Sequence, residues 1–192
     1  MPRDQADLDM SLINSYLAGD TDSFNELVGK YERPAYNLAY RMVGNAADAA
    51  DLTQEIFVRV HRNIKSFRGD SAFSTWFYRL ATNCCTDWLR KEARRPPTQE
   101  IQETLVADGG AGPSRLFEQS ETKALVQEAI SALPDEQRMA VVLHDLQGYS
   151  YEDIANIAEV PVGTIKSRLS RARLKLAASL AAIKEQNGRL SV

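Results

Sequence analysis

Apolar positions recur three and four residues apart along almost the whole chain, and period-two alternation is nearly absent. The pattern predicts an all-α fold. Leu8, Leu12, Ile13, Tyr16 and Leu17 form a first stripe that Gly19 stops. A second helix starts near Asp20–Ser23 and carries Phe24, Leu27, Val28 and Tyr31, with Pro34 expected to kink or divide it before Leu38 and Met42. Gly44 and Asn45 read as a cap and turn. A third helix runs from about Ala46 to Ile64, with Leu52, Ile56, Val60 and Ile64 facing inward at four-residue steps. Ser66–Ser71 is a short polar loop. Ser71 is placed to cap a fourth helix from Ala72 to about Glu92, whose apolar content is Phe73, Trp76, Phe77, Leu80, Ala81, Cys84, Trp88 and Leu89.

Arg94-Arg95-Pro96-Pro97 ends that helix, because proline cannot continue it. From Thr98 to about Gln119 the chain is acidic and holds Gly109-Gly110-Ala111-Gly112-Pro113, which predicts a linker. Helical spacing resumes near Glu121 with Leu125, Val126, Ala129 and Ile130. Leu133-Pro134 opens another helix, lined by Met139, Val142, Leu143 and Leu146 and ended by Gly148. Ser150-Tyr151-Glu152-Asp153 has the form of a capping box ahead of Ile154, Ala155 and Ala158. Glu159-Val160-Pro161 turns the chain, and a last long helix from Val162 or Gly163 buries Ile165, Leu169, Ala172 and Leu176. The expected organisation is two small helical domains, 1–94 and 121–185, joined by a flexible linker, 95–120.

Composition adds that the 192 residues are 44% hydrophobic and 26% charged, enough to bury a core. The net charge of -3 conceals its distribution. From Val160 to Lys184 there are six bases (Lys166, Arg168, Arg171, Arg173, Lys175 and Lys184) and no acid. From Arg59 to Arg95 nine bases face only Asp70, Asp87 and Glu92, while acids gather at Asp48–Glu55 and Glu100–Glu121. Segregated charge implies local patches for separate partners. The N-terminus lacks the apolar segment of a signal peptide, and no run approaches the ~20 apolar residues of a membrane span. With neighbouring Cys84 and Cys85 unable to build a disulfide framework, a soluble, cytoplasmic protein is expected.

No constellation for catalysis is present. There is no P-loop and no Gly-x-Ser-x-Gly elbow, and Gly109–Gly112 follows no strand. Cys84, Cys85, His61 and His144 lack metal-ligand spacing, and adjacent helical cysteines point apart, so packing is favoured over redox or zinc chemistry. Neither an enzyme nor a metal, cofactor or small-molecule substrate is expected.

A short helix, a tight turn and a longer helix outline a helix-turn-helix. On the long helix, Ile165, Leu169, Ala172 and Leu176 make one inward stripe, while Lys166, Ser167, Ser170, Arg171 and Lys175 lie opposite. Such a helix fits a major groove, where cations and hydroxyls reach bases and phosphates. A merely solvated basic face is the alternative. The one-signed excess, with no acid at i±4 on the same helix, favours a phosphate footprint.

Three segments together give a resemblance. Asp48-Ala-Ala-Asp51-Leu-Thr-Gln54-Glu55-Ile-Phe57 looks like sigma region 2.2. Ser66-Phe-Arg-Gly-Asp-Ser71 followed by Phe73-Ser-Thr-Trp-Phe-Tyr-Arg-Leu-Ala-Thr-Asn83 looks like regions 2.3 and 2.4. Tyr149-Ser-Tyr-Glu-Asp-Ile-Ala155 with Pro161-Val-Gly-Thr-Ile-Lys-Ser-Arg168 looks like region 4.2. In this order and spacing the chain resembles bacterial RNA polymerase sigma factors of the extracytoplasmic-function group, of the sigma-E and sigma-W type. The resemblance implies that Asp48, Asp51, Gln54 and Glu55 dock on core RNA polymerase. It implies that Ser66, Phe67, Arg68, Gly69, Asp70 and Ser71 form a pocket for a base flipped from the promoter's -10 element. Asn83 would act beside that loop, and Arg79 and Arg90 would meet phosphates; Trp76 and Phe77 read as core in preference to wedges that melt the duplex. Thr164, Lys166, Ser167, Ser170 and Arg171 would read the -35 duplex, with Arg168 and Arg173 on phosphates. Lys166 departs from relatives that carry Arg, and a point charge lacks the planar fork. The acidic linker would pass through the polymerase, or be a solvated tether. An anti-sigma partner, commonly membrane-linked, is implied as well. Two readings from other classes stand beside this one: an operator-binding dimeric regulator, which would not need the Ser66–Asn83 block, and a structural adaptor.

Overall fold

The computed structural model describes residues 3–94 and 113–189, with side chains described over 7–94 and 122–182. Among the described residues there is no strand. Four helices form the N-terminal half: α1 (Arg3–Leu17), α2 (Thr21–Val43), α3 (Ala46–Asn63) and α4 (Phe73–Glu92), with a 3-10 turn at Ile64–Ser66. The C-terminal half holds α5 (Pro113–Ser131), α6 (Asp135–Val141), α7 (Tyr151–Ala158) and α8 (Val162–Arg189). A π-helical turn, Val142–Leu146, extends α6. The predicted linker lies mostly outside the described residues; α5 already begins at Pro113, ahead of the spacing that resumes at Glu121.

Local chemistry sets the boundaries. The Asp20 carboxylate caps α2 by accepting from the Asp22 N–H at 3.1 Å, and Gly44 closes that helix in the left-handed region at φ 92°. A side chain at position 44 would also stand 3.2 Å from Ser131 Oγ, so glycine serves both the turn and a close approach. Asn45 caps α3 through the Asp48 N–H at 2.8 Å. The predicted Ser150–Asp153 capping box is present in both directions.

Four expectations need correction. Pro34 neither divides nor ends α2, which runs unbroken because Tyr31, Ala35, Leu38, Ala39 and Met42 are buried on both sides of it. Packing there outweighs the ~3 kcal/mol penalty of an interior proline. Ser71 does not cap α4: the N-cap residue is Ala72, with no side-chain cap bond, and Ser71 Oγ donates to the Ala72 carbonyl instead. Leu8 and Leu17 face solvent, whereas the polar Asp9 is buried beside Ile13. Leu146 likewise turns outward at the end of the π turn, where the changed helical pitch rotates it off the Met139–Leu143 stripe.

The core is continuous through both halves. Phe73, Phe77, Leu38, Met42 and Ile56 fill the first, Leu143, Ile154, Ile157 and Ile165 the second. Among the described residues no helix is long and apolar enough to cross a membrane.

Replacing Ser150 by Ala removes the α7 cap and should lower the unfolding free energy by about 1 kcal/mol in a urea titration followed by circular dichroism. An unchanged midpoint would mean that the cap carries no weight.

Candidate nucleic-acid interface

α8 presents its cations in two ranks. Ile165, Leu169 and Ala172 are buried against the half's core, which leaves the opposite side of the helix outward. Lys166, Ser170, Arg171 and Lys175 are exposed, and Thr164 and Ser167 are half-buried. Ser167 Oγ donates to the Thr164 carbonyl at 2.8 Å. Lys166 Nζ stands 5.9 Å from the ring centroid of Tyr151 at the start of α7. Lys166, Ser170 and Arg173, at i, i+4 and i+7, line one shallow depression with Tyr151.

The other two arginines are engaged within the protein. Arg168 pairs with Glu136 of α6. Arg173 donates from Nε to Asp145 at 3.2 Å, and these hydrogen bonds hold its pKa above the usual arginine value. The sequence showed no compensating acid at i±4 of these arginines, and both partners come from the α6 segment packed against the helix. Helical periodicity cannot display a partner supplied by another element.

The second cluster sits at the start of α4. Phe67 is half-buried, its ring edge-on to Phe73 at 5.5 Å and 5.6 Å from Trp76. Arg68, Gly69, Asp70 and Ser71 are exposed, and Ser66 Oγ donates to the Asn63 carbonyl at 2.6 Å. Gly69 adopts φ +77°, a left-handed conformation that permits the loop's tight reversal. Arg79, Asn83 and Arg90 fall on one face of α4, four and seven residues apart; Asn83 and Arg90 are exposed. Phe77 is fully buried and Trp76 partly, so both belong to the packing, as expected.

Arg79 is committed elsewhere. It donates to the Asn156 carbonyl at 2.8 Å and pairs with Glu159 at 3.1 Å, both in the helix-turn-helix. Glu159 itself takes the left-handed turn at φ 54°. Tyr78, next to Arg79 in α4, lies edge-on to Tyr149 at 4.8 Å. A second junction lies at the far end of α2, where Gln127 spans the Tyr40 and Arg41 carbonyls and accepts from Arg41 at 3.0 Å. Arg138 is buried there, donating to the Met42 carbonyl of α2 and to Ser131 and Leu133 at the end of α5. Burial holds its pKa below the usual arginine value, against the opposing pull of Asp135 at 3.8 Å. The two halves are therefore closed on each other. Sequence reading missed Gln127 and Arg138, although an arginine directly ahead of the apolar run Met139–Leu143 was the available signal.

The third cluster is on α3. Asp51, Gln54 and Glu55 are exposed, and Asp48 is half-buried beside its cap. Glu55 accepts from Arg59 at 2.9 Å, and Arg59 also reaches Asp87 of α4 at 3.0 Å. An apolar groove of about 440 Å³ lined by Phe24, Val28, Phe57 and Val58 adjoins Gln54.

Comparison with known proteins identifies the family. The Sigma-70 region 2 family matches residues 27–95, and the Sigma-70 region 4 family matches residues 123–176. Over 173 residues the chain is 40% identical to the ECF RNA polymerase sigma-E factor of Escherichia coli strain K12, covering 86% of this chain and 90% of that one. The chain belongs to the extracytoplasmic-function sigma factors. It is thus a transcription initiation factor and not an enzyme. The sigma factor RpoE of Bartonella quintana, solved in complex with the anti-sigma factor NepR, aligns with a TM-score of 0.65 at 25% identity, over 84% of this sigma factor and 98% of that chain. CnrH, solved with the cytosolic domain of CnrY, shares the fold, with a TM-score of 0.68 at 24% identity over 91% and 98% of the two chains.

The adjacent cysteines lie inside this sigma factor's core. Burial pushes Cys84 up to about 11 and Cys85 higher still. Since the thiolate is the reactive form, a thiol reagent at pH 8 should modify the native protein at least roughly tenfold more slowly than the urea-unfolded chain. Equal rates would reinstate the redox role that packing displaces.

Proposed function

We propose that this sigma factor docks on core RNA polymerase through Asp48, Asp51, Gln54 and Glu55, with the adjoining apolar groove completing that surface. It reads the -35 duplex with α8 and captures an unpaired -10 base in the Ser66–Ser71 loop. One observation supports the reading most: among the described residues, α8 keeps Lys166 and Arg171 outward without an acid partner, while Arg168 and Arg173 are tied to the body of the domain. The outward pair is free to reach bases. The tied pair sets the helix in place and offers its remaining donors to phosphates. On α4, Asn83 and Arg90 continue along the helix from the loop and would follow the path of the strand, and Arg79 joins them once it leaves Glu159.

The closed arrangement bears on mechanism. The two promoter elements lie roughly 25 base pairs apart by their positions, which at ~3.4 Å each is about 85 Å of duplex. A chain whose α4 pairs with α7 cannot hold both at once. Engagement of a promoter must part Arg79 from Glu159 and Tyr78 from Tyr149. The exposed ion pair is a weak restraint; burial of the tyrosines and of Arg138 is the stronger one. Once the halves part, base capture drives melting, because the few kcal/mol lost on unstacking is offset by contacts in the pocket.

The factor acts in the cytoplasm. Its activity is restrained by an anti-sigma protein, linked to the membrane, that occupies the surfaces needed for polymerase and DNA. Support comes from RpoE, solved with its anti-sigma factor.

Reconstituted transcription separates the surfaces. Lys166→Ala with Arg171→Ala should abolish -35-dependent initiation and leave co-purification with core polymerase intact; unchanged promoter choice would refute the α8 assignment. Asp51→Arg with Glu55→Arg should do the reverse, weakening polymerase pull-down by at least roughly tenfold. Normal co-purification of that variant would remove the docking face from α3. A chain that ignored core polymerase and protected a symmetric site unaided would be an ordinary operator-binding regulator.

A further inference from the structure

We propose that α1 belongs to the apparatus of -10 base capture, with Asp9 and Met10 acting as positioning residues beneath the Ser66–Ser71 loop; this rests on the reading of that loop given above. The region 2 match begins at residue 27, so α1 lies outside it.

Two neighbouring side chains on α1 reach the loop by separate routes. Asp9 is 2% exposed, and its carboxylate accepts from the Tyr31 hydroxyl at 2.7 Å and pairs with Lys30. A buried carboxylate is tolerated only where it is bonded in this way, so the contact fixes the register of α1 against α2. Tyr31 carries the restraint onward: its ring lies edge-on to Phe73 at 5.3 Å and against Phe77 at 4.7 Å. Phe73 is in turn edge-on to Phe67, the aromatic residue of the loop. The path therefore runs from a carboxylate on α1, through a tyrosine and a buried phenylalanine, to the loop's own anchor.

Met10 takes the shorter route. A Cβ built on Gly69 would meet Met10 Cε at 3.6 Å and Sδ at 4.0 Å, which places the thioether beside the glycine, where a first side-chain carbon would touch it. Gly69 is the point where the loop reverses, and its neighbours Arg68 and Asp70 are exposed. Phe67 pins one side of the reversal, and Met10 lies next to the reversal itself. Ile13, fully buried one turn further along α1, already supplies the helix's share of the core. Half-buried Met10 lies beyond that core, under the loop. A pocket that must receive a base out of a stack depends on such support, because a site held about 1 Å too loosely loses its function.

The test uses full-length protein assembled with core polymerase. The probes are a labelled single-stranded oligonucleotide carrying the -10 element of a promoter found by transcript sequencing, the same strand with an abasic site at the captured position, and the -35 duplex. Met10→Ala and Tyr31→Phe should each weaken the intact strand by roughly fivefold, leave the abasic strand and the -35 duplex within twofold of the parent, and retain polymerase binding; Met10→Leu should restore affinity. A merely structural role for α1 predicts equal losses on all three probes together with a lowered Tm, and that result would overturn the proposal. So would full affinity of Met10→Ala for the intact strand when Phe67→Ala and Asp70→Ala lose it, an outcome that leaves the base-capture reading standing. If the loop variants also bind the intact and abasic strands alike, base capture itself fails, and the role of α1 fails with it.

Discussion

Arg138 is buried where the ends of α2 and α5 converge, its donors turned to the Met42, Ser131 and Leu133 carbonyls. A cation in that position needs those acceptors, because the carbonyls at a helix C-terminus have no partners within the helix and carry the negative end of its dipole. The same guanidinium therefore finishes α5 within the C-terminal half and α2 across the boundary. Gln127 repeats the arrangement at the Tyr40 and Arg41 carbonyls. A separate junction adds Tyr78 on Tyr149 and Arg79 on the helix-turn-helix. Separating the halves returns these carbonyls and donors to water, so the closed state can be stable and still reversible.

The helices and the outward rank of α8 were legible because helical spacing and one-signed charge are properties of contiguous residues. The Ser150–Asp153 box and the Leu52–Ile56–Val60–Ile64 stripe are of that kind. What escaped depends on pairing between elements. Nothing in the spacing singles out Asp9 until Tyr31 is brought to it, and Arg168 and Arg173 show no partner until Glu136 and Asp145 are packed beside them. Pro34 misled for the same reason: a local penalty was outweighed by burial that only the folded bundle supplies. Ser71 had the right chemistry for a cap one residue too early, since the chain enters α4 through an extended Ala72.

α4 carries several duties on one helix. Phe73, Phe77 and Ala81 build the core, Phe73 anchors the loop, and Tyr78 and Arg79 hold the other half. In the proposed reading Arg79 would have to leave Asn156 and Glu159 to reach a phosphate, so closure would compete with promoter engagement.

The distance between the halves tests this account most directly. Cysteines introduced as Glu26→Cys and Ala178→Cys, both exposed, can carry a donor and an acceptor dye while buried Cys84 and Cys85 stay unlabelled. Efficient energy transfer in the free protein should be lost when core polymerase and a promoter are added, as the halves move apart toward the ~85 Å separation of the two elements. Transfer that persists unchanged in an initiation-competent promoter complex would contradict it.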